Sequence, residues 1–326
     1  RRVLFRSAPT MVRVLRAAVA IVIAKTQPGA EHPIHGRCHH PLDAERTPGG
    51  SSSGEAALIG AGASLVGLGS DSGGSIRLPA AWCGVFGFKP SFGLVPNTGH
   101  FPRVGGRHDG RTVIGPLAAS AADLFTITSV ICGPDGVDPD CVPAPLRAPS
   151  SVDPRGLRVA VVEEAAWAPA GSTRAAVQAA VSRLADLGCV IVDEPLPAHL
   201  DEALDITLRY WGRSALSGAA ADRQLGDWDR FSGRFTRAAA GFDIIVGPVV
   251  ADVAPVHRPL EGDDYVFTLP WSLTGWPAVS VPAGTDPATG LPLAVQVAAP
   301  RWHDHVVLAA ASWLGAWSVA SKANAR

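Results

Sequence analysis

The chain has 326 residues, which is enough for one large α/β domain or two small ones. Its formal net charge is -1 and its pI is about 6.9, so it lacks the basic surface expected of a protein that binds nucleic acid or an anionic membrane. The five cysteines are odd in number and show no C-x-x-C spacing, which argues against a disulfide framework or a thiolate zinc site. These features favour a reducing compartment and predict a cytoplasmic protein without a membrane span.

The first seven residues, RRVLFRS, can be encoded by a sequence that resembles a common sequencing-adapter tail. They are predicted to be a non-native leader over residues 1–7. The remainder, 8–326, is predicted to be a single domain that is incomplete at its N-terminus.

The next segment, Met11–Ala24, imitates a secretory signal because arginines precede an apolar run. The run is too short to span a bilayer. The interpretation we favour is an amphipathic helix, with Val12, Leu15 and Val19 on one side, that leads into a buried strand over Ala20–Ala24.

Glycine and serine dominate the stretch Thr47–Pro90, TPGGSSSGEAALIGAGASLVGLGSDSGGSIRLPAAWCGVFGFKP. A phosphate-binding loop is excluded because neither G-x-x-x-x-G-K-[ST] nor G-x-G-x-x-G occurs in it. The G-x-S-x-G match centred on Ser52 lacks the apolar strand that a nucleophile elbow needs immediately before the serine. A flexible linker is also disfavoured, because an apolar segment over Glu55–Leu65 is predicted to form a buried helix.

Two Gly/Ser loops therefore flank one predicted helix and a short strand over Leu65–Leu68. In the second loop, small residues from Ser72 to Ser75 can direct several backbone N–H groups at one point, as a developing oxyanion requires. A serine beside such a group of donors is a candidate nucleophile that needs a base. The four histidines between His32 and His40 lie in a Pro/Gly loop without acidic or thiolate partners, so no metal site is predicted.

The second half of the chain alternates between strands and helices. A Pro- and Asp-rich connection over Cys132–Gly156 precedes a predicted strand, Leu157–Glu163, and then a helix for which Ser172 is a candidate cap and Gly188 a stop. A strand over Cys189–Glu194 follows, and this order implies a sheet flanked by helices. Short strands are predicted in DIIVGPVV, AVSVP and LAVQVAAP, and the sequence HDHVVLAAASWLGAW predicts a closing amphipathic helix.

The stretch RTPGGSSSGEAALIGAGASLVGLGSDSGGSIRLPAAWCGVFGFKPSFGLVP resembles the signature of the amidase signature family, which are serine hydrolases of carboxamides. Segments on both sides resemble the family too, among them IGPLAASAADL, FDIIVGPVV and SLTGWPAVSVPAGTDPATGLPLAVQV, so the resemblance runs from about residue 8 to the end. It implies an α/β fold in which helices cover both faces of a mixed central β-sheet. It implies no metal or organic cofactor.

By this resemblance, Ser75 is the nucleophile and Ser51 is a bridging serine that follows a cis peptide bond. The resemblance assigns the oxyanion hole to the backbone N–H groups of Ser72, Gly73, Gly74 and Ser75. It also assigns supporting roles to Gly50, to the hydroxyl of Ser52, and to an ion pair between Asp71 and Arg77.

The family's base is a buried lysine that must be neutral to accept a proton. The chain contains only Lys25, Lys89 and Lys322, and none of them matches the family's position. Lys25 matches a later family position and Lys89 is predicted to lie in a turn. The resemblance therefore implies an N-terminally truncated amidase of low activity.

Two other functions stay open. One is the glutamine-hydrolysing subunit of a tRNA-dependent amidotransferase, although SSSGEAALIG looks closer to the free-standing hydrolases. The other is a non-catalytic homologue. The expected partner is a small-molecule amide, with a homodimer as a candidate assembly. The candidates for lining an apolar acyl channel are Phe231, Phe235, Trp271 and Trp276, although the nine tryptophans of a chain of this size are more often core residues.

Overall fold

The structure is a computed structural model that describes residues 9–101, 109–215 and 218–323, with only the backbone described for residues 215 and 316–323. The strands are β1 (Glu31–His32), β2 (Gly36–Arg37), β3 (Val66–Asp71), β4 (Phe86–Lys89), β5 (Val113–Ala118), β6 (Arg158–Val161), β7 (Val190–Ile191), β8 (Ile244–Pro248), β9 (Ala278–Thr285) and β10 (Pro292–Ala298). The α-helices are α1 (Thr10–Ala17), α2 (Ser53–Gly60), α3 (Arg77–Cys83), α4 (Ala121–Ile131), α5 (Gly171–Asp186), α6 (Leu200–Trp211), α7 (Ala219–Ala238), α8 (Leu269–Leu273) and α9 (Asp304–Ala323).

Eight of the strands in the described ranges form one sheet, in the order β3-β5-β4-β9-β10-β8-β6-β7. Strand β6 is parallel to both β7 and β8, whereas the other neighbours are antiparallel. The sheet is therefore mixed, as predicted. Strand β3, which leads into the Ser72–Ser75 loop, is an edge strand.

Side chains alternate between the two faces of the central strands, because successive residues of a strand point to opposite sides. Val295 and Val297 pack with helices α4, α5 and α9 in one core. Ala298 packs on the other face with α6, α7 and α8, and Ala294 packs on α3. Helices cover both faces, which confirms the predicted fold class.

The N-terminal prediction was half right. Helix α1 forms, but residues 20–27 form no strand, and the side chains of Val19, Ile21 and Ile23 are 86%, 87% and 69% exposed. A strand needs a neighbour to satisfy its backbone groups, and none of the described strands pairs with this segment. The expected buried strand over Ala20–Ala24 is thus wrong for this structure, and the leader predicted over 1–7 lies outside the described residues.

Other boundaries differ in ways that matter for the site. Helix α2 ends at Gly60 rather than at Leu65, and Gly62 follows with a φ of +74°, a conformation that favours glycine. Strand β3 continues to Asp71, so it delivers the second Gly/Ser loop directly. Helix α5 begins at Gly171 without a side-chain cap, so Ser172 is not its cap.

Within the described ranges, no helix combines the length and the apolar character needed to cross a bilayer.

Candidate active site

The two Gly/Ser loops meet at the edge of the sheet. Ser51 and Ser52 immediately precede α2, and Ser75 lies between the end of β3 and the start of α3. The backbone N–H of Ser52 donates to the carbonyl oxygen of Ser75 at 3.1 Å. The peptide bond between Gly50 and Ser51 is cis. Ser51 is exposed and Ser75 is partly buried, so both serines lie where a small molecule can reach the surface of the site.

All four carbonyl oxygens of the Ser72–Ser75 loop accept hydrogen bonds from outside the loop. The Ser72 oxygen accepts from Nε of Arg111 and the Gly73 oxygen accepts from Oγ1 of Thr268. The remaining two, on Gly74 and Ser75, accept from the backbone N–H groups of Leu78 (2.8 Å) and Ser52 (3.1 Å). The loop conformation is therefore fixed at every peptide.

The N–H groups of the Ser72–Ser75 loop differ from its carbonyl oxygens in their hydrogen bonding. In the described part of the chain, no residue accepts a hydrogen bond from the N–H groups of Ser72, Gly73 or Ser75. The N–H of Gly74 donates to Oδ1 of Asp71 at 2.7 Å. The structure thus gives the Gly74 donor an internal acceptor, unlike the role that the resemblance implied, and leaves three donors available.

Asp71 and Arg77 form an ion pair beneath the loop, and both side chains are fully buried. Arg77 donates to both carboxylate oxygens, from Nε at 3.0 Å and from Nη2 at 2.9 Å. Burial alone would raise the pKa of the Asp71 carboxyl, but attraction to Arg77 and the hydrogen bonds from it outweigh burial, and the pKa lies below its ordinary value. The carboxylate also accepts from the N–H of Ile76 at 3.2 Å, so one charge holds both Gly74 within the Ser72–Ser75 loop and Ile76 directly after it.

Arg77 in turn connects the loop to the far end of the sequence. Its Nη1 donates to the carbonyl of Thr268 at 2.9 Å and to Oε1 of Gln296 at 2.8 Å, and its Nη2 donates to Oγ of Ser272 at 2.9 Å. Gln296 is a buried polar residue of β10, opposite Ser280 of β9. Every described acceptor of this buried guanidinium is a charged or polar oxygen, as a buried charge requires.

The Ser51 loop is held by neutral groups. Oγ of Ser53 donates to the carbonyl of Gly49, and the hydroxyl of Tyr265 donates to the carbonyl of Gly50 at 3.1 Å. The Ser51 carbonyl accepts from the N–H of Gly29 at 2.8 Å. The hydroxyl of Ser52 packs against Gly69 of β3, at a point where a side chain on residue 69 would collide with it.

Two aromatic side chains flank the Ser72–Ser75 loop. Trp211 and Tyr265 meet edge to face, with ring centroids 5.7 Å apart. Trp211 lies against Gly73 and Tyr265 against Gly74, so these glycines leave space that a side chain would fill. Trp211 is 39% exposed, which makes it an accessible apolar surface beside the serines.

The aromatic residues predicted to line an acyl channel lie elsewhere. They are nearly fully buried in the core on the α6, α7 and α8 face, at exposures of 1% for Phe231, 0% for Phe235, 2% for Trp271 and 4% for Trp276. Their rings contact one another within this core, with centroids 5.4 to 6.5 Å apart. Their expected role as channel residues is therefore wrong, because apolar interior packing accounts for all four.

The lysines differ in environment. Lys25 is exposed, and the side chain of Lys322 lies outside the described part. Lys89 is the last residue of β4 rather than a turn residue, it is fully buried, and its Nζ donates to the carbonyl of Pro90 at 3.0 Å. Burial, together with repulsion from Arg77, lowers the pKa of Lys89 to about 7. No described hydrogen bond joins Lys89 to either serine.

Comparison with known proteins agrees with this geometry. The Amidase family model matches residues 7–224 and 212–308. The A subunit of the glutamyl-tRNA(Gln) amidotransferase of Anaeromyxobacter sp. (strain K) is 32% identical over 358 residues, covering 88% of this chain and 72% of that protein. The chain therefore belongs to the amidase family, whose members hydrolyse amide C–N bonds.

Solved structures show the same fold. The crystal structure of the A subunit of glutamyl-tRNA(Gln) amidotransferase from Thermotoga maritima superposes with a TM-score of 0.81 at 25% identity, over 93% of this chain and 75% of that one. The 6-aminohexanoate cyclic dimer hydrolase superposes with a TM-score of 0.81 at 25% identity, over 95% and 77%.

Sequence reasoning brought Ser51, Ser52, Ser75, Asp71 and Arg77 into one neighbourhood, and the structure places them together. It missed four residues that hold or flank the loops: Arg111, Trp211, Tyr265 and Thr268. No motif marks these residues, and they reach the loops only through tertiary packing. The one available signal is indirect, since the small residues at positions 73 and 74 leave room for large neighbours.

Proposed function

We propose that this protein hydrolyses carboxamides through an acyl-enzyme on Ser75. The observation that supports it most strongly is the Ser72–Ser75 loop, in which every carbonyl oxygen accepts a hydrogen bond while three N–H groups have no acceptor among the described residues. Donors fixed in advance at the position of a developing negative charge stabilise a tetrahedral intermediate without reorganisation. An ordinary surface turn has no need of donors arranged in this way.

In the proposed reaction, Oγ of Ser75 forms a bond to the amide carbon and the carbonyl oxygen becomes an oxyanion facing the N–H groups of Ser72, Gly73 and Ser75. The Ser75 proton passes through Ser51 to the amide nitrogen as the C–N bond breaks. Ammonia or an amine leaves, and water then cleaves the ester to release the carboxylic acid and restore Ser75. A serine hydroxyl is a weak nucleophile, so the step needs a base.

The base implied by the resemblance is a lysine, and neither Lys25 nor Lys89 lies in hydrogen-bond contact with the two serines. We therefore infer slow turnover for this chain. A residual rate above that in water is expected, because oxyanion stabilisation and binding still act when the proton-transfer machinery is incomplete.

A fluorophosphonate probe tests the nucleophile. We expect time-dependent labelling of the wild type, none of Ser75→Ala, and slower labelling of Ser51→Ala, which retains the nucleophile but loses the proton route. Equal labelling of the wild type and Ser75→Ala would falsify the proposal.

A second candidate substrate is glutamine, as in the glutamine-hydrolysing subunit of a tRNA-dependent amidotransferase. The curated relatives that are named as the A subunit of glutamyl-tRNA(Gln) amidotransferase support it. Ammonia release from glutamine that rises on addition of partner subunits favours this candidate, whereas release from simple aryl or alkyl amides by the chain alone favours a free-standing amidase.

We also infer a cytoplasmic location. All five cysteines are free in the structure, three of them buried, which agrees with a reducing compartment.

A further inference from the structure

Arg111 precedes β5 and is completely buried beside the Ser72–Ser75 loop. Its Nε donates to the carbonyl oxygen of Ser72 at 2.5 Å, and its Nη1 donates to Oγ1 of Thr207 at 3.2 Å. Arg111 comes 36 residues after Ser75 along the chain, yet it contacts the first peptide of the loop. One end of the loop is thus held by a charged side chain from another part of the fold.

Aromatic rings fix the plane of this guanidinium. Its central carbon lies 4.8 Å from the centroid of Tyr210 and 5.8 Å from that of Trp228, distances typical of cation–π contacts. The Tyr210 hydroxyl donates to Oδ1 of Asp109 at 2.6 Å, which anchors the ring itself. Burial lowers the pKa of Arg111 to about 10, so the group still carries its charge at neutral pH.

The third nitrogen of Arg111, Nη2, has no acceptor among the described residues. Nη2 is buried and makes no hydrogen bond with any described residue, and it lies 3.4 Å from the position that a Cβ on Gly73 would occupy. A buried donor without a partner is costly, so such a group calls for an explanation. Positive charge against the loop is favourable when negative charge develops on the loop's other side.

The peptide plane links Arg111 to the expected site of that charge. The Ser72–Gly73 peptide bond is trans, so the Ser72 carbonyl and the Gly73 N–H point in opposite directions. Because Arg111 holds the carbonyl, it also fixes the direction of the N–H. We propose that Arg111 is a positioning residue, which aims the Gly73 N–H at the oxyanion and adds its charge behind the loop.

This inference rests on the proposed function, and the test separates the two. The rate of fluorophosphonate labelling is measured for the wild type, Ser75→Ala, Arg111→Met and Arg111→Lys. We expect Arg111→Met to label about 10- to 100-fold more slowly, since losing one oxyanion donor outright costs about 100- to 1,000-fold. Arg111→Lys should recover part of the rate, because an ammonium can still donate to the Ser72 carbonyl.

Two control experiments test whether Arg111→Met acts only through a general loss of structure. Arg213→Met is the matched control: Arg213 lies over the same Tyr210 ring, 3.9 Å from its centroid, but it is exposed and its Nη1 donates to the Tyr210 carbonyl. It should label at the wild-type rate. In a Ser75→Ala background, benzamide binding measured by calorimetry should change less than about threefold on Arg111→Met, because the oxyanion donors bind a neutral carbonyl much more weakly than the charged intermediate.

Wild-type labelling that does not depend on Ser75 overturns the proposed function. Ser75-dependent labelling that is unchanged by Arg111→Met overturns only the role of Arg111. If Arg111→Met shows no cooperative unfolding transition, the labelling rate of Thr207→Val is the test instead. This variant removes the acceptor of Nη1 while leaving the guanidinium in place. We expect Thr207→Val to be labelled more slowly than Arg213→Met, and an equal labelling rate would contradict the role proposed for Arg111.

Discussion

The two Gly/Ser loops of the site are held in different ways. The Ser72–Ser75 loop is held by buried charged groups, namely the Asp71–Arg77 ion pair and Arg111. Arg111 comes from a remote part of the sequence. The Ser51 loop is held by hydroxyls and backbone groups, and its own serine is exposed. In the proposed reaction, the N–H donors that face the oxyanion need a fixed geometry, whereas a hydroxyl that relays a proton needs only to stay within reach.

Removing the negative charge beneath the Ser72–Ser75 loop should have the largest effect on stability. Asp71→Asn leaves Arg77 buried without a counter-ion, and breaking a buried pair in this way costs about 3–5 kcal/mol of the free energy of unfolding. Urea denaturation of the wild type and the variant measures it. The matched control is Asp153→Asn, since Asp153 pairs with Arg155 at the surface and exposed pairs contribute less than about 1 kcal/mol. Equal losses in the two variants would contradict a charged support for the loop.

The buried charge of Lys89 should make the free energy of unfolding depend on pH. Its pKa is about 7 when folded and about 10.4 when unfolded, so between these values the unfolded chain binds more protons. Stability should therefore increase as pH rises from about 7 to about 10, by at most about 1.4 kcal/mol per pH unit from this group, and the penalty is fully present below pH 7. The charged groups that act on Lys89 are Arg77, Asp71, Asp304 and Arg301.

The free energy of unfolding measured across this pH range tests the Lys89 effect. Lys89→Met should flatten the slope, whereas Lys25→Met, which removes an exposed lysine, should preserve it. A slope unchanged by Lys89→Met would show that the ammonium is not desolvated in the folded protein.

The neutral support of the Ser51 loop should have the smallest effect. Tyr265→Phe removes one hydrogen bond to the Gly50 carbonyl and keeps the ring against Gly74, so we expect a loss of about 1 kcal/mol in urea denaturation. A loss as large as that of Asp71→Asn would mean that the two loops are supported alike.

The sequence predicted the site better than it predicted the surroundings of the site. Ser51, Ser75, Asp71 and Arg77 fall within one continuous stretch, so its resemblance to the amidase signature was enough to bring them together. Arg111 and Thr268 depend on how distant elements pack, and no local pattern encodes that. The run Ala20–Ala24 was predicted to be a strand because it is apolar and because its segment resembles the family, but a strand also needs a pairing edge, which neither observation reveals.

The aromatic residues illustrate the same limit. Tryptophan and phenylalanine suit both a core and a substrate channel, because each buries a large apolar area. Phe235 and Trp271 belong to the core, while Trp211, at the end of a helix with an exposed face, lies at the site. Only the three-dimensional arrangement distinguishes an aromatic residue of the core from one at the site.

The central claim is that the loop donors serve Ser75 and no other hydroxyl. Trypsin should release Thr47–Arg77 as a single peptide, because no lysine or arginine lies between Arg46 and Arg77, and that peptide carries both candidate serines. After reaction with a fluorophosphonate, fragmentation of this peptide by mass spectrometry should locate the adduct on Ser75. An adduct on Ser51, on Ser72 or on a serine outside the peptide would contradict the claim.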